Sequence, residues 1–231
     1  MLKERYNKLE QLIGIEFNSK ELLDLAFVHK SYLNEHRSLK PDHNERLEFL
    51  GDAVLELVAT EFLYKNYPDK EEGVLTNWRS ALVKGEHLAQ ISIELELGIY
   101  LYLSRGEERS AGRKKNYILA NTLEALIGAI YLDQGYLTAH KFIDKYILNK
   151  LQYILEEGKH IDAKSKFQEL CQEKRGVTPI YKQHKAEGPD HMKNFTMGLY
   201  IADELISEGT GSSKQNAEQD AAAKGLDSLG W

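Results

Sequence analysis

Cysteine is almost absent from this chain of 231 residues, which carries only Cys171. A single cysteine excludes a disulfide framework and a zinc site built from several thiolates of one chain. Long apolar runs are also lacking, since no stretch approaches the roughly 20 residues that span a bilayer. The first residues, MLKERYNKLEQL, are charged and show no apolar segment of an export signal. We therefore expect a cytoplasmic protein with no membrane partner.

Positive charge is scarce as well: 30 Lys and Arg stand against 36 Asp and Glu, a formal net charge of −6 at pH 7. The overall field does not attract a nucleic acid, so any such binding needs local basic patches. The run RGEERSAGRKK, residues 105–115, holds five basic and two acidic residues. Such a run is usually a solvated loop. Beside an acidic metal site, however, Arg113, Lys114 and Lys115 would be the best candidates to hold a phosphate backbone.

Proline is rare too, with four in the chain, and the apolar pattern divides the sequence into two parts. Residues 1–156 repeat apolar side chains at steps of three and four, which predicts an all-α domain. The polar segment EEGKHIDAKS, residues 156–165, predicts a linker. Residues 162–231 predict a small two-layer α+β domain of order α-β-β-β-α. The main predicted elements are helices Glu45–Tyr64, Asn77–Lys84, Glu86–Leu95, Ile118–Leu132, Leu137–Leu155 and Lys164–Lys174, strands Ile180–His184, Asn194–Ile201 and Glu204–Thr210, and a last helix from about Ser213 to Leu226.

One predicted helix, within HNERLEFLGDAVLEL, carries four carboxylates on one side. At about 100° per residue they lie within roughly 80° of one another, and the apolar side chains of Leu47, Leu50, Val54 and Leu57 fall on the other side. The four are Glu45, Glu48, Asp52 and Glu56. An ordinary amphipathic helix with a solvated acidic side would explain this. Two features oppose that interpretation: no Lys or Arg balances the acidic side, and Gly51 in mid-helix costs about 1 kcal/mol relative to alanine. The glycine is easier to explain if another backbone packs closely against it.

A second helix, ILANTLEALIGAIYLD, is apolar except for Asn121 and Glu124. The pattern predicts a buried helix, in which a carboxylate is expensive unless it is paired or binds a metal. A single glutamate at the rim of a helix bundle remains the alternative. Oxygen ligands on two helices are what a hard cation such as Mg²⁺ requires, and bundle cores commonly hold such sites.

These blocks carry a resemblance to a known family. NERLEFLGDAVL, residues 44–55, resembles the signature of the ribonuclease III family, and residues 118–133 resemble its second catalytic helix. YPDKEEGVLTNWRSALV (67–83) and LSRGEERSAGRKK (103–115) fit at the expected places in order. The resemblance covers essentially the whole chain. It implies a Mg²⁺-dependent endonuclease of double-stranded RNA, active as a symmetric homodimer, that leaves 5′-phosphate and 3′-hydroxyl ends with two-nucleotide 3′ overhangs on ribosomal RNA precursors and structured transcripts.

The resemblance also implies roles for single residues. The metal ligands would be Glu48, Asp52, Asn121 and Glu124, of which Asp52 and Glu124 are the catalytic ones. Glu45 and Glu72 would line the cleavage valley, and Phe49 would seat in the partner subunit. Glu56 has no implied role, so we expect it to be solvated. Asn121 stands where the family usually has aspartate, which implies weaker metal binding.

The second part of the chain resembles a double-stranded-RNA-binding domain, although residues 162–231 hold nine basic and eleven acidic residues. KSKFQELCQE (164–173) resembles its first helix, GPDHMKNF (188–195) its β1–β2 loop, and GTGSSKQNAEQDAAAKGL (209–226) its last helix. The implied RNA contacts are Gln168, Glu169, Pro189, His191, Ser213 and Lys214. Gly209 and Gly211 permit a close backbone approach, and the helix N-terminus capped by Ser213 favours phosphates. An ordinary capped alanine-rich helix is the alternative for this last block.

Two departures keep a rival function open. Asn121 lacks the usual carboxylate, and Gln215 stands where the family usually carries a second lysine. A catalytically weakened family member, acting as a double-stranded-RNA-binding or ribosome-associated protein, would fit both. An unrelated helical metal hydrolase would explain the acidic helices but not the second domain.

Overall fold

The structure is a computed structural model that describes residues 2–35, 42–158, 162–188 and 193–231. The chain divides into two compact units, residues 1–160 and 161–231, and each has its own buried core. The division falls within the segment predicted as a linker. No helix among these described residues is both long and apolar enough to cross a membrane.

The first unit is helical, as the apolar periodicity predicts. Its α-helices are α1 (Leu2–Ile13), α2 (Lys20–Ala26), α3 (Lys30–Glu35), α4 (Glu45–Asn66), α5 (Glu72–Leu82), α6 (Gly85–Glu94), α7 (Arg105–Arg109), α8 (Asn116–Gln134), α9 (Tyr136–Tyr146) and α10 (Leu151–Glu156). Short 3₁₀ turns occupy Leu97–Tyr100, Gly112–Lys114 and Leu148–Lys150. An isolated parallel bridge between Val28 and Tyr102 joins the segment after α2 to the segment before α7.

Helices α4 and α8 cross at the centre of this unit with their backbones in contact. A Cβ added at Gly51 would lie 1.7 Å from the carbonyl oxygen of Glu124, and one added at Gly128 would lie 2.2 Å from the carbonyl oxygen of Leu47. Each helix therefore uses a glycine to admit the backbone of the other. The predicted close approach at Gly51 is confirmed, and it places Asp52, the next residue, beside α8.

Most predicted helices differ from the observed ones by a few residues at their ends, but two predictions are wrong. The predicted helix Leu137–Leu155 is broken into α9, a 3₁₀ turn and α10. Ile147 and Leu148 are both buried at the break, so the apolar pattern continues through it, and no proline or glycine marks it. Helix α5 begins at Glu72, well before the predicted start at Asn77, because the chain turns into the helix directly after Glu71.

The second unit is an α+β domain of the predicted order. It consists of α11 (Ala163–Arg175), β1 (Ile180–Glu187), β2 (Asn194–Ile201), β3 (Glu204–Gly211) and α12 (Lys214–Leu229). The strands form an antiparallel sheet in the order β1-β2-β3. Its core joins both helices to β2 through Phe167, Cys171, Leu199 and Ala221, so this unit has two layers.

Strand β3 lies against α12 with little space between the backbones. A Cβ added at Gly209 would lie 2.1 Å from the backbone nitrogen of Ala221, and one at Gly211 would lie 2.6 Å from that of Ala217. The close approach that these glycines predict therefore exists, and the neighbour that requires it is α12.

Candidate active site

The N-terminus of α4, which carries the first carboxylates, is hydrogen-bonded to the end of α2 and the residues after it. Asn44 is buried; its Nδ2 donates to the carbonyl of Ala26 at 3.2 Å, and its backbone N–H donates to the carbonyl of Val28 at 2.9 Å. Its own carbonyl accepts from the N–H of Glu48 at 2.8 Å. Asn44 therefore positions the first turn of α4. Asn44 opens the NERLEFLGDAVL block, but its partners lie on a different segment, so no local pattern marks its role.

Three carboxylates flank the crossing of α4 and α8. Gly51 of α4 lies against the backbone of Glu124, so the turn of α4 that carries Glu48 and Asp52 runs beside Glu124. Burial, together with the charges of Asp52 and Glu48, raises the pKa of Glu124 from 4.5 to about 7. Burial and the neighbouring charge of Glu45 also raise the pKa of Glu48.

Asn121, the fourth predicted ligand, is half-buried. Its amide lowers the pKa of the Glu48 carboxyl and so partly offsets the effect of burial. An amide NH₂ group can donate to a carboxylate while the carbonyl oxygen stays available as an acceptor. The residue that departs from the family pattern thus favours the ionised form of Glu48.

The chemistry of these side chains suits a hard divalent cation, since carboxylate and amide oxygens are its preferred ligands. A cation would also offset the repulsion that Asp52 and Glu48 exert on the charge of Glu124. In the side-chain arrangement observed across the described residues, however, no group of three or more His, Cys, Asp or Glu could hold a metal ion. The donor set fits, and binding a cation requires these side chains to turn toward one another.

The acidic side of α4 is balanced by cations from other helices. Nζ of Lys30, at the start of α3, lies 2.9 Å from Oε1 of Glu45, and this hydrogen bond lowers the pKa of Glu45. Nε of Arg79, on α5, lies 2.9 Å from Oε2 of Glu56. The expectation that Glu56 is simply solvated is therefore wrong. Because these cations belong to α3 and α5, the sequence of α4 alone could not predict them.

Glu72 lies in the first turn of α5, apart from the α4–α8 crossing. Its Oε1 accepts from the hydroxyl of Thr76 at 3.0 Å. It lines a cavity of about 700 Å³ together with residues of the second half of α4, among them Leu63 and Tyr64. Its implied place beside the cleavage site stays a prediction.

One side of α4 leaves large apolar side chains in solvent. Phe49 is 79% exposed, Tyr64 76% and Leu57 58%. Of the apolar residues predicted opposite the carboxylates, Leu47 and Val54 are buried. Leu57 is exposed because α8 covers α4 on the side of Gly51, and Leu57 lies outside that contact.

The N-terminus of α12 has the predicted cap. Oγ of Ser213 accepts from the backbone N–H of Asn216 at 3.1 Å. Lys214 and Gln215 are exposed in the first turn. A capped helix end with an exposed lysine is the local structure that phosphate binding requires.

The predicted contact residues of α11 are exposed as well. Gln168 and Glu169 both face solvent. Asp162 caps this helix, and its Oδ1 also accepts from Nε2 of Gln219 at 2.6 Å, which ties α11 to α12. The remaining predicted contacts, Pro189 and His191, lie outside the described residues.

Comparison with known proteins agrees with both units. A family model described as Ribonuclease-III-like matches residues 19–151, more than half of the chain, and the double-stranded RNA binding motif matches residues 163–229. The chain belongs to the ribonuclease III family. Membership makes it an endoribonuclease, and it confirms the fold predicted from the sequence, a helical nuclease domain followed by a small α+β RNA-binding domain.

Other members of the ribonuclease III family match along nearly the whole chain. Ribonuclease 3 of Borreliella afzelii is 44% identical over 227 residues, which are 98% of this chain and 92% of that protein. Ribonuclease 3 of Enterococcus faecalis is 44% identical over 228 residues, 99% and 96% of the two chains. The nuclease domain of ribonuclease III from Campylobacter jejuni, a solved structure, is 42% identical with a TM-score of 0.58, covering 62% of this chain and 96% of that one.

In this ribonuclease III family member the basic run 105–115 is not a loop. Helix α7 and the 3₁₀ turn Gly112–Lys114 occupy it, because Ser104 caps α7 and Gly112 permits tight packing. The guanidinium of Arg113 donates to the carbonyls of Gly98 and Leu101 at 2.8 and 2.9 Å. These contacts hold the Arg113 side chain against the protein, and its predicted contact with RNA phosphates stays a prediction.

The two lysines of the same run differ from each other. Nζ of Lys115 lies 2.5 Å from Oε1 of Glu107, and the Glu107 side chain is only 19% exposed. Lys114 is exposed. Of the three cations proposed to face RNA, Lys114 is therefore the best placed to do so.

Proposed function

We propose that this chain hydrolyses phosphodiester bonds of double-stranded RNA and depends on Mg²⁺. The observation that carries the proposal is the backbone contact of Gly51 with Glu124, which sets Glu124 beside the turn of α4 that carries Glu48 and Asp52, in a chain whose second unit matches an RNA-binding motif. A half-buried carboxylate with a raised pKa beside two others is a candidate for a functional site.

We assign the cation to Glu48, Asp52, Asn121 and Glu124, with Asp52 and Glu124 most important for the reaction. Bound Mg²⁺ would supply a nucleophilic water at neutral pH and stabilise charge on the phosphate. The protein's part is to present ionised oxygen ligands. Because the pKa of Glu124 is about 7, Glu124 would have to lose its proton near neutral pH to serve as an ionised ligand. Glu45 and Glu72 would line the valley that holds the duplex.

We assign the exposed apolar side of α4 to a homodimer interface. Phe49, Leu57 and Tyr64 would otherwise leave three large apolar side chains of one helix in water. The solved Campylobacter jejuni nuclease domain has a region involved in dimer formation. A symmetric dimer places one site on each RNA strand, which gives staggered cuts with 5′-phosphate and 3′-hydroxyl ends and two-nucleotide 3′ overhangs.

The second unit would hold the duplex through α11, the β1–β2 loop and the capped end of α12. Such domains read RNA by its shape and its 2′-hydroxyls, so the proposed substrates are structured RNAs, including ribosomal RNA precursors. We place the domain bounds at 1–156 and 162–231 and the activity in the cytoplasm. The assigned RNA contacts are Gln168, Glu169, Pro189, His191, Ser213 and Lys214.

A second candidate function is binding of double-stranded RNA with weakened catalysis. It is favoured by the amide at position 121, which acts on Glu48 and brings no carboxylate to the predicted ligand set. The two candidates share their substrate and differ only in turnover.

Cleavage of a labelled RNA duplex separates them. The purified chain is incubated with duplex RNA, single-stranded RNA or duplex DNA, in Mg²⁺ or in EDTA. The proposal predicts short RNA products from the duplex in Mg²⁺ and from none of the other mixtures. Tight binding of the duplex without products would favour the second candidate, and failure to bind it would contradict both.

A further inference from the structure

A duplex RNA that reaches the α4–α8 crossing meets several carboxylates in a chain of net charge −6. Cations next to that crossing are needed to hold the phosphates there. Two of the cations predicted for this purpose are held by the protein itself, since Arg113 binds backbone carbonyls and Lys115 binds Glu107. Lys114 of the same run stays exposed, and Lys30 is a second exposed cation, which lies directly beside the carboxylates.

Lys30 is the cation that lies against the cluster. Its Nζ is 2.9 Å from Glu45, and its charge also acts on Glu48. The side chain of Lys30 is 64% exposed and that of Glu45 45%. Exposed ion pairs contribute little to stability because water screens them, so Lys30 can leave Glu45 for another anion at small expense.

The backbone that carries Lys30 is fixed. The N–H of His29 donates to the carbonyl of Tyr102 at 3.2 Å, and the hydroxyl of Ser31 accepts from the N–H of Ser104 at 3.1 Å. The backbone thus fixes where the Lys30 side chain starts, while the exposed side chain can still change its rotamer. This combination suits a group that exchanges partners when a substrate arrives.

Tyr117, in the first turn of α8, lies near Lys30. It precedes Asn121 by one helical turn and is 57% exposed, and its hydroxyl acts on both Lys30 and Lys115. Spacings of four and seven residues put Tyr117 on the side of α8 that carries Asn121 and Glu124. The surface between α3 and the first turn of α8 therefore continues directly from the carboxylates.

We propose that Lys30 is an RNA-binding residue of the nuclease unit, which exchanges its ion pair with Glu45 for a phosphate of the strand being cut, next to the cleaved bond. This inference rests on the proposed function and adds a substrate contact to it. The bound phosphate replaces one carboxylate as the partner of Lys30, and Glu45 is released toward the cleavage site.

Duplex binding by the full chain tests the proposal, measured over a range of salt concentrations in EDTA. Lys30→Gln should weaken binding about tenfold, the size of one charge-assisted hydrogen bond. The slope of log affinity against log salt should decrease by about one, the signature of one lost phosphate contact. Lys30→Arg should retain the wild-type slope. Lys8→Gln is the matched control, because Lys8 also forms an exposed ion pair, with Glu96, and should change neither quantity.

A double variant separates RNA contact from neutralisation of Glu45. If Lys30 binds phosphate, Lys30→Gln weakens binding in the Glu45→Gln background as well. If its effect vanishes in that background, Lys30 acts only through Glu45 and the proposal is overturned. Equal behaviour of Lys30→Gln and Lys8→Gln would overturn it too, as would an altered Mg²⁺ requirement for cleavage with unchanged RNA affinity. Because wild-type cleavage of the duplex is measured alongside, failure of the proposed function is seen separately.

Discussion

At the scale of one residue, the ionisation of Glu124 reduces the stability of the fold. Its pKa is raised from 4.5 to about 7 by burial and by the charges of Asp52 and Glu48. The folded state therefore binds a proton between these two pH values that the unfolded state has lost. Stability falls wherever the folded state holds more protons, so this carboxyl lowers the stability of the metal-free protein as pH rises from about 4.5 to 7.

Replacing Glu124 with glutamine should remove that loss. At 1.36 kcal/mol per pKa unit the shift corresponds to roughly 3 kcal/mol, and solvent screening of a partly exposed group reduces this to about 1–2 kcal/mol. Glu124→Gln should thus be more stable than wild type by that amount at pH 8 in EDTA, and nearly equal to it at pH 4.5. Urea unfolding followed by circular dichroism measures both. Glu86→Gln, which changes an exposed glutamate of α6, should have little effect, and a glutamine variant without any gain at pH 8 would contradict the assigned burial and repulsion.

Asn121 yields a second prediction at this scale. Asn121→Asp replaces an amide that lowers the pKa of Glu48 with a like charge, so the metal-free protein at pH 8 should lose about 1–3 kcal/mol. The added carboxylate is also a stronger ligand, so Mg²⁺ should restore more stability to this variant than it adds to wild type. Unfolding in EDTA and in Mg²⁺ measures the difference. Asn121→Ala, which removes the amide without adding charge, should gain less from Mg²⁺ than Asn121→Asp. Equal gains for all three proteins would show that position 121 does not face the cation.

Sequence reasoning located the carboxylates but not their partners. The motif blocks and helical spacing were enough to single out Glu48, Asp52 and Glu124. The ion pairs of Glu45 with Lys30 and of Glu56 with Arg79 join different helices. Such pairs depend on how helices pack, which no local periodicity encodes.

At the scale of elements, the crossing of α4 and α8 holds the site together. Gly51 and Gly128 let each backbone reach the other, so the distance between the carboxylates depends on two missing side chains. Gly51→Ala should therefore destabilise the protein by at least about 3 kcal/mol, because its Cβ meets backbone that cannot turn away. It should also suppress cleavage, since it displaces Glu124.

Another glycine of the same unit provides the control. Gly73, in α5, has no atom within 4 Å of an added Cβ, so Gly73→Ala should stabilise the protein by up to about 1 kcal/mol, as helix propensity predicts. Urea unfolding of both variants gives the comparison. An alanine at position 51 that stabilises like the one at 73 would show that the helices are not in backbone contact.

The elements were predictable to different degrees for physical reasons. Helices α4 and α8 were found from their periodicity, and Gly51 disclosed their contact because a mid-helix glycine is otherwise unfavourable. The break between α9 and α10 was missed because Ile147 and Leu148 keep the apolar pattern intact. The folding of residues 105–115 into α7 and a 3₁₀ turn was missed because charge dominates that segment.

At the scale of the whole molecule, two units with separate cores divide the work. Deletion of residues 157–231 should leave a folded nuclease dimer, because the first unit has its own buried core. RNA affinity should fall at moderate salt, and low salt should partly rescue cleavage, since phosphate contacts strengthen as salt decreases. Sedimentation and duplex binding measure the two effects. A truncated chain that binds duplex at physiological salt as tightly as the full chain would contradict the role of the second unit.

We assign Glu124 to the chemical step of RNA cleavage and not to the binding of RNA. Cleavage and binding of one labelled duplex by Glu124→Gln, beside Glu86→Gln, test it most directly. The account predicts that cleavage in Mg²⁺ falls by at least about a thousandfold, as loss of several kcal/mol of transition-state stabilisation requires. Duplex affinity in EDTA should stay within about twofold, because the RNA-binding surfaces are unchanged, and Glu86→Gln should behave like wild type in both measurements. Cleavage by Glu124→Gln within tenfold of the wild-type rate would contradict the account.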